Sequence, residues 1–190
     1  MALTGNPQHA LVVIDVQQGF DDSAWGRRDN PDCEDRISAL IGAWRAAGRP
    51  VVIVRHDSTS PGSPLRPGQP GNDLRAFITD HQIVGDVLIT KSVNSAFYGD
   101  PDLHAWLTDR GITRLAICGV TTNHCCETTA RMAGNLGYDV TFVIDATHTF
   151  DRVAPDGSVI PAEEISRVTA ANLHGEFATV MTTRDVLEAD

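Results

Sequence analysis

The sequence predicts an α/β fold of three layers (αβα), in which helices cover both faces of a mostly parallel sheet. Two observations support this prediction. Short apolar runs recur along the chain, and each is continuous rather than alternating, as in strands that are buried on both faces. Between these runs lie longer stretches with apolar residues at helical spacing, and several of them end at a glycine.

Six runs rich in β-branched residues predict about six strands in a Rossmann-like sheet. They cover residues 9–16, 50–56, 86–91, 114–120, 139–145 and 177–182. Four stretches predict helices, at residues 33–48, 100–111, 122–137 and 161–175. We expect the pair Asp100-Pro101 to cap the second of these helices, since proline is common in a first turn. A length of 190 residues fits one domain with a core, so residues 1–190 are expected to form a single domain.

Composition narrows the classes of partner. The 15 basic and 25 acidic residues give a net charge of −10, which argues against nucleic acid and is compatible with a neutral or cationic small molecule. No basic and apolar leader opens the sequence, and its apolar runs are too short to span a bilayer, so we expect a cytoplasmic protein with no membrane partner. Four cysteines without a CxxC motif are expected to be reduced thiols and not zinc ligands.

The longest irregular stretch, residues 58–73, is rich in Pro, Gly and Ser. It is either a disordered surface loop or a lid that contacts a substrate, since loops of this length in compact domains commonly have a function. The sequence leaves both interpretations open.

Three reactive side chains follow predicted strands. Asp15 ends the first strand, Lys91 ends the third, and Cys125 follows the fourth. Ligands of open α/β sheets bind at the carboxyl ends of the strands, so these groups are expected to leave neighbouring strand ends and to meet at one edge of the sheet. Each alone has an ordinary structural role as a cap, a solvated lysine or a core thiol. Together they predict a nucleophile with a general base and a positive charge.

The adjacent cysteines Cys125 and Cys126 cannot both face that edge, because successive helical residues project about 100° apart. Cys126 shares its face with small apolar residues, which favours Cys125 as the reactive thiol without excluding the other. Residues 121–123 are typical N-cap types, so the thiol is expected in the first turn of a helix, where the helix dipole and Lys91 lower its pKa.

Three segments of the sequence resemble the isochorismatase-like superfamily of cysteine hydrolases, which includes nicotinamidases, N-carbamoylsarcosine amidases and isochorismatases. They are VVIDVQQGF, KSVNSAFYG and CGVTTNHCCETTARMAGNLGYDVTFVIDAT. The resemblance implies a catalytic triad of Asp15, Lys91 and Cys125. It also implies an oxyanion hole formed by the backbone N–H groups of Thr121 and Cys125, and a cis peptide bond between Val120 and Thr121. Relatives are commonly dimers or larger, so a homo-oligomer is expected.

The resemblance implies hydrolysis of a C–N bond in a small amide, ureide or carbamoyl compound through a thioester acyl-enzyme, with no cofactor. Nicotinamidases carry an Asp-x-His metal motif after the second strand, where this chain has Arg55-His56-Asp57. We therefore expect no metal and disfavour nicotinamide. Isochorismatases that cleave a vinyl ether lack the cysteine, so that activity is disfavoured as well.

The expected substrate pocket contains residues near these strand ends, namely Phe20, His56, Tyr98 and His124. The three tryptophans, Trp25 among them, are expected to pack in the interior. Two alternatives remain open at this point: a catalytically silent binding protein of the same fold, and a redox protein that uses Cys125 and Cys126 as a vicinal pair.

Overall fold

The computed structural model describes residues 8–80 and 87–189. Its central sheet has six parallel strands in the order β3-β2-β1-β4-β5-β8. These strands are β1 (His9–Ile14), β2 (Val51–His56), β3 (Val87–Lys91), β4 (Arg114–Val120), β5 (Asp139–His148) and β8 (Thr179–Met181). A separate antiparallel pair is formed by β6 (Arg152–Val153) and β7 (Val159–Ile160). The predicted three-layer α/β fold with about six strands is confirmed.

In the described part of the chain, six α-helices surround the sheet. They are α1 (Cys33–Ala46), α2 (Ala76–Asp80), α3 (Leu103–Thr108), α4 (Glu127–Asn135), α5 (Ala162–Leu173) and α6 (Thr183–Ala189). One apolar cluster joins one face of the sheet to α3, α4 and α5, and includes Leu107, Ala130 and Leu173. A second joins the other face to α1 and α6, and includes Ile37 and Val186. None of the helices in these residues has the length and apolarity needed to cross a bilayer.

Several predicted boundaries differ from the structure. The helix expected at 100–111 begins at Leu103, and its N-cap is Asp102, whose carboxylate accepts from the Ala105 N–H over 3.0 Å. Asp100-Pro101 forms a cis peptide bond before that helix and is not its cap. Strand β5 extends to His148 because Thr147 and His148 pair with the end of β4. Helices α2 and α6 and the β6–β7 pair are too short to give a periodic signal. Of the predicted segments, Asp86 and the chain ends lie outside the described residues.

Candidate active site

The carboxyl end of β1 holds Asp15 in an uncommon backbone conformation. Its φ is 52°, a left-handed value that non-glycine residues rarely adopt. The Asp15 N–H donates to Val54 O over 2.9 Å, so the end of β2 fixes this turn. Its side chain has no solvent exposure. Such strained residues persist where the surrounding structure enforces them, and they cluster at functional sites.

Strand β4 lies very close to β1 at the same edge. Gly119 has a φ of 128°, and a Cβ at this position would be 2.1 Å from Ile14 O. Only glycine permits this approach. The residues after Gly119 therefore leave the sheet beside Asp15.

Lys91 forms a buried ion pair with Asp15. Its Nζ lies 2.6 Å from Asp15 Oδ2 and 3.2 Å from His56 Nδ1. Burial lowers the pKa of Lys91, but the charges of Asp15 and Cys125 outweigh this effect and the pKa is raised. Burial and the Lys91 charge lower the pKa of His56. His56 is thus neutral and accepts a hydrogen bond from the Lys91 ammonium at Nδ1.

The strand order corrects one part of the sequence interpretation. Asp15 and Lys91 do not end neighbouring strands, because β2 lies between β1 and β3. His56 is the residue of β2 that pairs in register with Lys91. Strands lie about 4.8 Å apart, so the long lysine side chain crosses the end of β2 to reach Asp15.

Cys125 lies in a wide helical turn, Thr122–Cys126, that precedes α4. The expected regular helix from residue 122 is therefore wrong, since the α-helix begins only at Glu127. Thr121 O accepts hydrogen bonds from the N–H groups of His124 at 3.2 Å and Cys126 at 3.3 Å. The Val120–Thr121 peptide bond is cis.

The two adjacent cysteines have different surroundings. Cys125 borders a cavity and is 7% exposed, whereas Cys126 is completely buried in the core. The Cys125 thiol donates to Asn94 Oδ1 over 3.6 Å. Its Sγ, a carboxylate oxygen of Asp15 and a ring nitrogen of His56 all lie within 4.8 Å of one another. Cys125 is therefore the thiol that meets Asp15 and Lys91.

The expected lowering of the thiol pKa is wrong. Burial raises the pKa of Cys125, and the Asp15 carboxylate raises it further, while Lys91 opposes them with a smaller effect. The dominant contribution is desolvation, because a buried thiolate loses its hydration. The thiol is protonated at neutral pH and needs an acceptor before it can attack. Asp15 Oδ1 is buried and accepts no hydrogen bond from the described residues, which leaves it available for that proton.

A cavity of about 110 Å³ opens above Cys125. It is lined by Asp15, Phe20, Trp25, His56, Leu65, Asn94, Thr121, His124 and Cys125. Typical pockets for drug-sized ligands measure roughly 300–1,000 Å³. A cavity this small suits a substrate with few non-hydrogen atoms.

Three of the four expected pocket residues line this cavity, and one does not. Tyr98 is 70% exposed and lies on the short turn Ala96–Tyr98, which directs it to solvent. Trp25 was expected to pack in the interior, but it borders the cavity, where its ring packs against Phe20 and Phe150 at centroid distances of 5.2 and 5.5 Å. Asn94 was missed, although it stands only three residues after Lys91 in KSVNSAF.

The loop of residues 58–73 is fixed against the site, which excludes the disordered alternative. Asn72 donates to His56 O, Asp57 Oδ1 and Leu65 O at 3.1, 3.0 and 2.9 Å. Gln17 also donates to Asn72 O over 2.9 Å. These bonds hold Leu65, which is 5% exposed, in the cavity wall.

Among the described residues, Asp15, His56 and Cys125 form the one group whose atoms could bind a metal ion. Lys91 already donates to Asp15 and to His56. Its ammonium opposes a second cation at the same atoms. Beside this group, Asp57 accepts hydrogen bonds from two guanidinium nitrogens of Arg55, Nε at 2.8 Å and Nη2 at 2.9 Å. The donor set does not fit a metal in this arrangement.

Comparison with known proteins identifies the family. The model of the isochorismatase domain matches residues 9–185. The isochorismatase family protein YrdC of Bacillus subtilis is 38% identical over 94% of both chains. Streptothricin hydrolase of Streptomyces noursei is 34% identical over 90% of this chain, which spans 61% of that longer protein. Nicotinamidase 3 of Arabidopsis thaliana is 32% identical over 89% of this chain and 82% of its own length.

Solved structures agree. An isochorismatase family protein from Chromobacterium violaceum has a TM-score of 0.90 and 39% identity, with 97% of this chain and 94% of that chain covered. A cysteine hydrolase from Pseudomonas syringae pv. phaseolicola has a TM-score of 0.85 and 26% identity, with 96% and 92% covered. The chain therefore belongs to the isochorismatase family of hydrolases.

Proposed function

We propose that this protein is a cysteine hydrolase that cleaves a C–N bond of a small amide, ureide or carbamoyl compound through a thioester. One observation carries the proposal. A thiol at a cavity wall lies within 4.8 Å of a carboxylate oxygen, and that carboxylate is held by a buried ammonium. Two relatives are enzymes by name, streptothricin hydrolase and nicotinamidase 3, and the second name states an amide as the substrate.

The first half of the reaction forms the acyl-enzyme. Cys125 Sγ attacks the carbonyl carbon while its proton passes to Asp15 Oδ1. The backbone N–H groups of Thr121 and Cys125 stabilise the oxyanion that develops. Asp15 then gives the proton to the leaving nitrogen, the C–N bond breaks, and ammonia or an amine departs.

Water completes the cycle. Asp15 accepts a proton from the water that attacks the thioester carbon, and the C–S bond breaks. Asp15 returns that proton to the thiolate, which restores the starting state. Throughout, Lys91 keeps its charge and holds Asp15 in place. Transfer of the thiol proton from Cys125 to Asp15 leaves the net charge of Asp15, Lys91 and Cys125 unchanged. Loss of the same proton to solvent would leave a buried negative charge.

The test is an ammonia-release screen over small amides, ureides and carbamoyl compounds, with Cys125→Ala as the control. We expect turnover that disappears in Cys125→Ala, together with a covalent acyl adduct on Cys125 by mass spectrometry. Turnover that persists in Cys125→Ala, or a screen without turnover accompanied by tight ligand binding, contradicts the proposal. The second result would favour the silent binding protein. The vicinal redox pair has little support, since Cys126 is completely buried.

We further infer that the chain is a homo-oligomer. Strands β6 and β7 expose Val153 by 73% and Val159 by 62% beside the site, and exposed apolar surface of this kind is typical of subunit contacts. Sedimentation velocity measures the oligomeric state directly. A monomer at all accessible concentrations would contradict this inference.

A further inference from the structure

Asn94 lies beside the Cys125 thiol in the wall of the active-site cavity. Its Oδ1 accepts a hydrogen bond from Cys125 Sγ over 3.6 Å, and both residues line the cavity. Asn94 is exposed, whereas Cys125 is only 7% exposed. The amide group of Asn94 thus borders solvent on one side and the reactive sulfur on the other.

The backbone that carries Asn94 is fixed at both ends. Thr90 and Asp100 exchange two backbone hydrogen bonds, of 2.9 and 2.8 Å, which close the segment between them. Within this segment, the Ala96 N–H donates to Thr129 Oγ1 over 3.1 Å. Thr129 belongs to α4 and follows the reactive cysteine by four residues. These contacts tie the segment to the helix that follows the thiol, so the amide is held at a defined place beside the sulfur.

The thiol has one hydrogen and two neighbouring acceptors. In this structure the hydrogen is directed to Asn94 Oδ1. Asp15 Oδ1, which takes the proton in the reaction proposed above, accepts no hydrogen bond from the described residues. One S–H group donates to one acceptor at a time. The bond to Asn94 therefore stabilises the protonated thiol and directs its hydrogen away from the base.

A bound amide brings its own donors to this place. In the proposed reaction its carbonyl oxygen faces the backbone N–H groups of Thr121 and Cys125, and its carbonyl carbon lies about 3–3.5 Å from the sulfur. The scissile nitrogen lies on the side of Asp15, because that carboxyl group gives it a proton. Asn94 Oδ1 is 3.6 Å from the same sulfur, which places it within hydrogen-bond distance of a nitrogen bonded to that carbon.

Another wall of the cavity offers no acceptor for these donors. It is apolar and is formed by Phe20, Trp25 and Leu65. An N–H group turned to this wall would lose its hydrogen bond with water and gain none, which costs free energy. Asp15 and Asn94 place their carboxylate and amide oxygens close to the sulfur, where the scissile nitrogen lies. An S–H group is a weak donor, so an amide N–H displaces it from the asparagine oxygen.

We propose that Asn94 is a specificity-determining residue, which exchanges the thiol hydrogen of the free protein for an N–H of the scissile nitrogen. The exchange releases the thiol hydrogen, which turns to Asp15 Oδ1 when an amide is bound. The inference rests on the hydrolase function proposed above and assigns the recognition of its leaving nitrogen to one side chain. A carbonyl compound without an N–H, such as a ketone, lacks the donor that makes this exchange.

The first measurement uses the free protein and needs no turnover. The rate of Cys125 alkylation by iodoacetamide is followed by peptide mapping at one pH below the thiol pKa, where the rate follows the thiolate fraction. Asn94→Leu removes the acceptor and keeps the branched shape of the side chain. We expect alkylation at least about twofold faster, because the lost hydrogen bond stabilised the protonated thiol. Asn94→Asp keeps an acceptor and adds a negative charge, so its alkylation should be slower. A side chain that only fills space would not give opposite changes.

The second measurement tests the exchange itself. Propionamide or butanone is added to the same assay as a protecting ligand. Both have the same number of non-hydrogen atoms and one carbonyl group, and only propionamide has N–H groups. We expect Asn94→Leu to weaken protection by propionamide at least about fivefold and to change protection by butanone much less. Asn94→Asp should preserve protection by propionamide. Asn135→Leu, at an exposed position of α4 outside the cavity wall, is the matched control and should change neither alkylation nor protection.

Three results overturn the proposal: alkylation that is unchanged or slower in Asn94→Leu, no protection by propionamide at its highest soluble concentration, or protection by the two ligands that changes equally in Asn94→Leu. Asn94 is exposed, so these substitutions leave the core intact, and thermal unfolding of each variant checks this. Failure of the hydrolase function would appear separately, as the absence of Cys125-dependent ammonia release.

Discussion

Lys91 donates to Asp15 over 2.6 Å, and neither side chain is exposed to solvent. The Lys91 charge keeps Asp15 ionised, so its carboxylate can accept a proton. The ion pair as a whole carries no net charge. It also explains why a protonated thiol is compatible with catalysis. The carboxylate that disfavours the thiolate is the group that accepts its proton once a substrate carbonyl is in place.

We expect Asp15→Asn to change turnover and thiol reactivity in opposite directions. Turnover should fall by about 10²–10⁴-fold, because the proton acceptor is lost. The thiol pKa should decrease, because the Asp15 charge that raises it is removed and the thiolate becomes the counter-charge of Lys91. The pH dependence of iodoacetamide alkylation measures this pKa. Asp21→Asn, at an exposed ion pair, is the control. If the midpoint pH of alkylation stays the same or rises in Asp15→Asn, Asp15 does not raise the pKa of the Cys125 thiol.

The neighbouring cysteines should separate chemistry from packing. Cys125→Ala should lose turnover and keep most of its stability, because its side chain borders a cavity. Cys126→Ala should keep turnover and lose stability by about 1–2 kcal/mol, since it removes an atom from a fully buried position. Ammonia release measures the turnover of each variant, and urea unfolding measures its stability. The reverse pattern would make Cys126 the nucleophile.

Much of this site could be predicted from sequence, for identifiable reasons. Continuous apolar runs mark buried parallel strands: Asp15 follows β1, Lys91 is the last residue of β3, and Cys125 lies in the turn after β4. The order of the strands in the sheet is not a local property of the sequence. The sequence therefore did not predict that β2 separates Lys91 from Asp15, or that the lysine side chain passes His56 to reach the carboxylate. The same holds for Asn94 and Trp25, whose positions depend on loops fixed by distant contacts.

The direction of the thiol pKa shift was predicted wrongly for a related reason. The sequence shows a capped helix start and a lysine, and both favour a thiolate. It does not show that Cys125 would be only 7% exposed, or that the wide turn would precede the α-helix. Desolvation is set by the whole fold, and here it outweighs the local effects.

Gly119→Ala should disrupt the approach of β4 to β1. Its Cβ would lie 2.1 Å from Ile14 O, at a φ of 128° that other residues rarely adopt. We expect a loss of at least about 3 kcal/mol in the free energy of unfolding, or failure to fold. Gly42→Ala is the matched control in α1. Beyond the adjacent residues and the nearby backbone of the same helix, no atom lies within 4 Å of the added Cβ, and the free energy of unfolding should rise by about 1 kcal/mol. Equal urea midpoints for the two variants would contradict this account.

Asn72→Ala should release the loop of residues 58–73 from the cavity. The side chain is 5% exposed, and its amide nitrogen donates to three acceptors. Loss of these three hydrogen bonds should lower the free energy of unfolding by about 1–3 kcal/mol, since each contributes about 0.5–1.5 kcal/mol. Limited proteolysis with mass mapping should show faster cleavage within the loop. Ser60→Ala, at an exposed position of the same loop, is the control. Unchanged cleavage in Asn72→Ala would mean that other contacts fix the loop.

His148 should make the fold sensitive to acid. It is completely buried, and among the described residues neither ring nitrogen has a hydrogen bond, although Nε2 lies 3.9 Å from Glu34 Oε1. Burial and the Arg28 charge lower its pKa to about 3. Its unfolded pKa is about 6.5. Between these values the unfolded chain binds the proton and the folded chain does not, so stability falls as the pH falls from about 6.5 towards 3.

Because of His148 alone, the free energy of unfolding changes by up to about 1.4 kcal/mol per pH unit in this range. Glu34 raises the pKa of His148, whereas Arg28 and Arg75 lower it, so the two arginines reinforce the effect of burial. We expect His148→Leu to flatten the pH dependence of the urea midpoint between pH about 4 and 6. The exposed His104→Leu should leave it unchanged. Identical slopes for the unaltered protein and His148→Leu would mean that carboxylates alone account for the acid sensitivity.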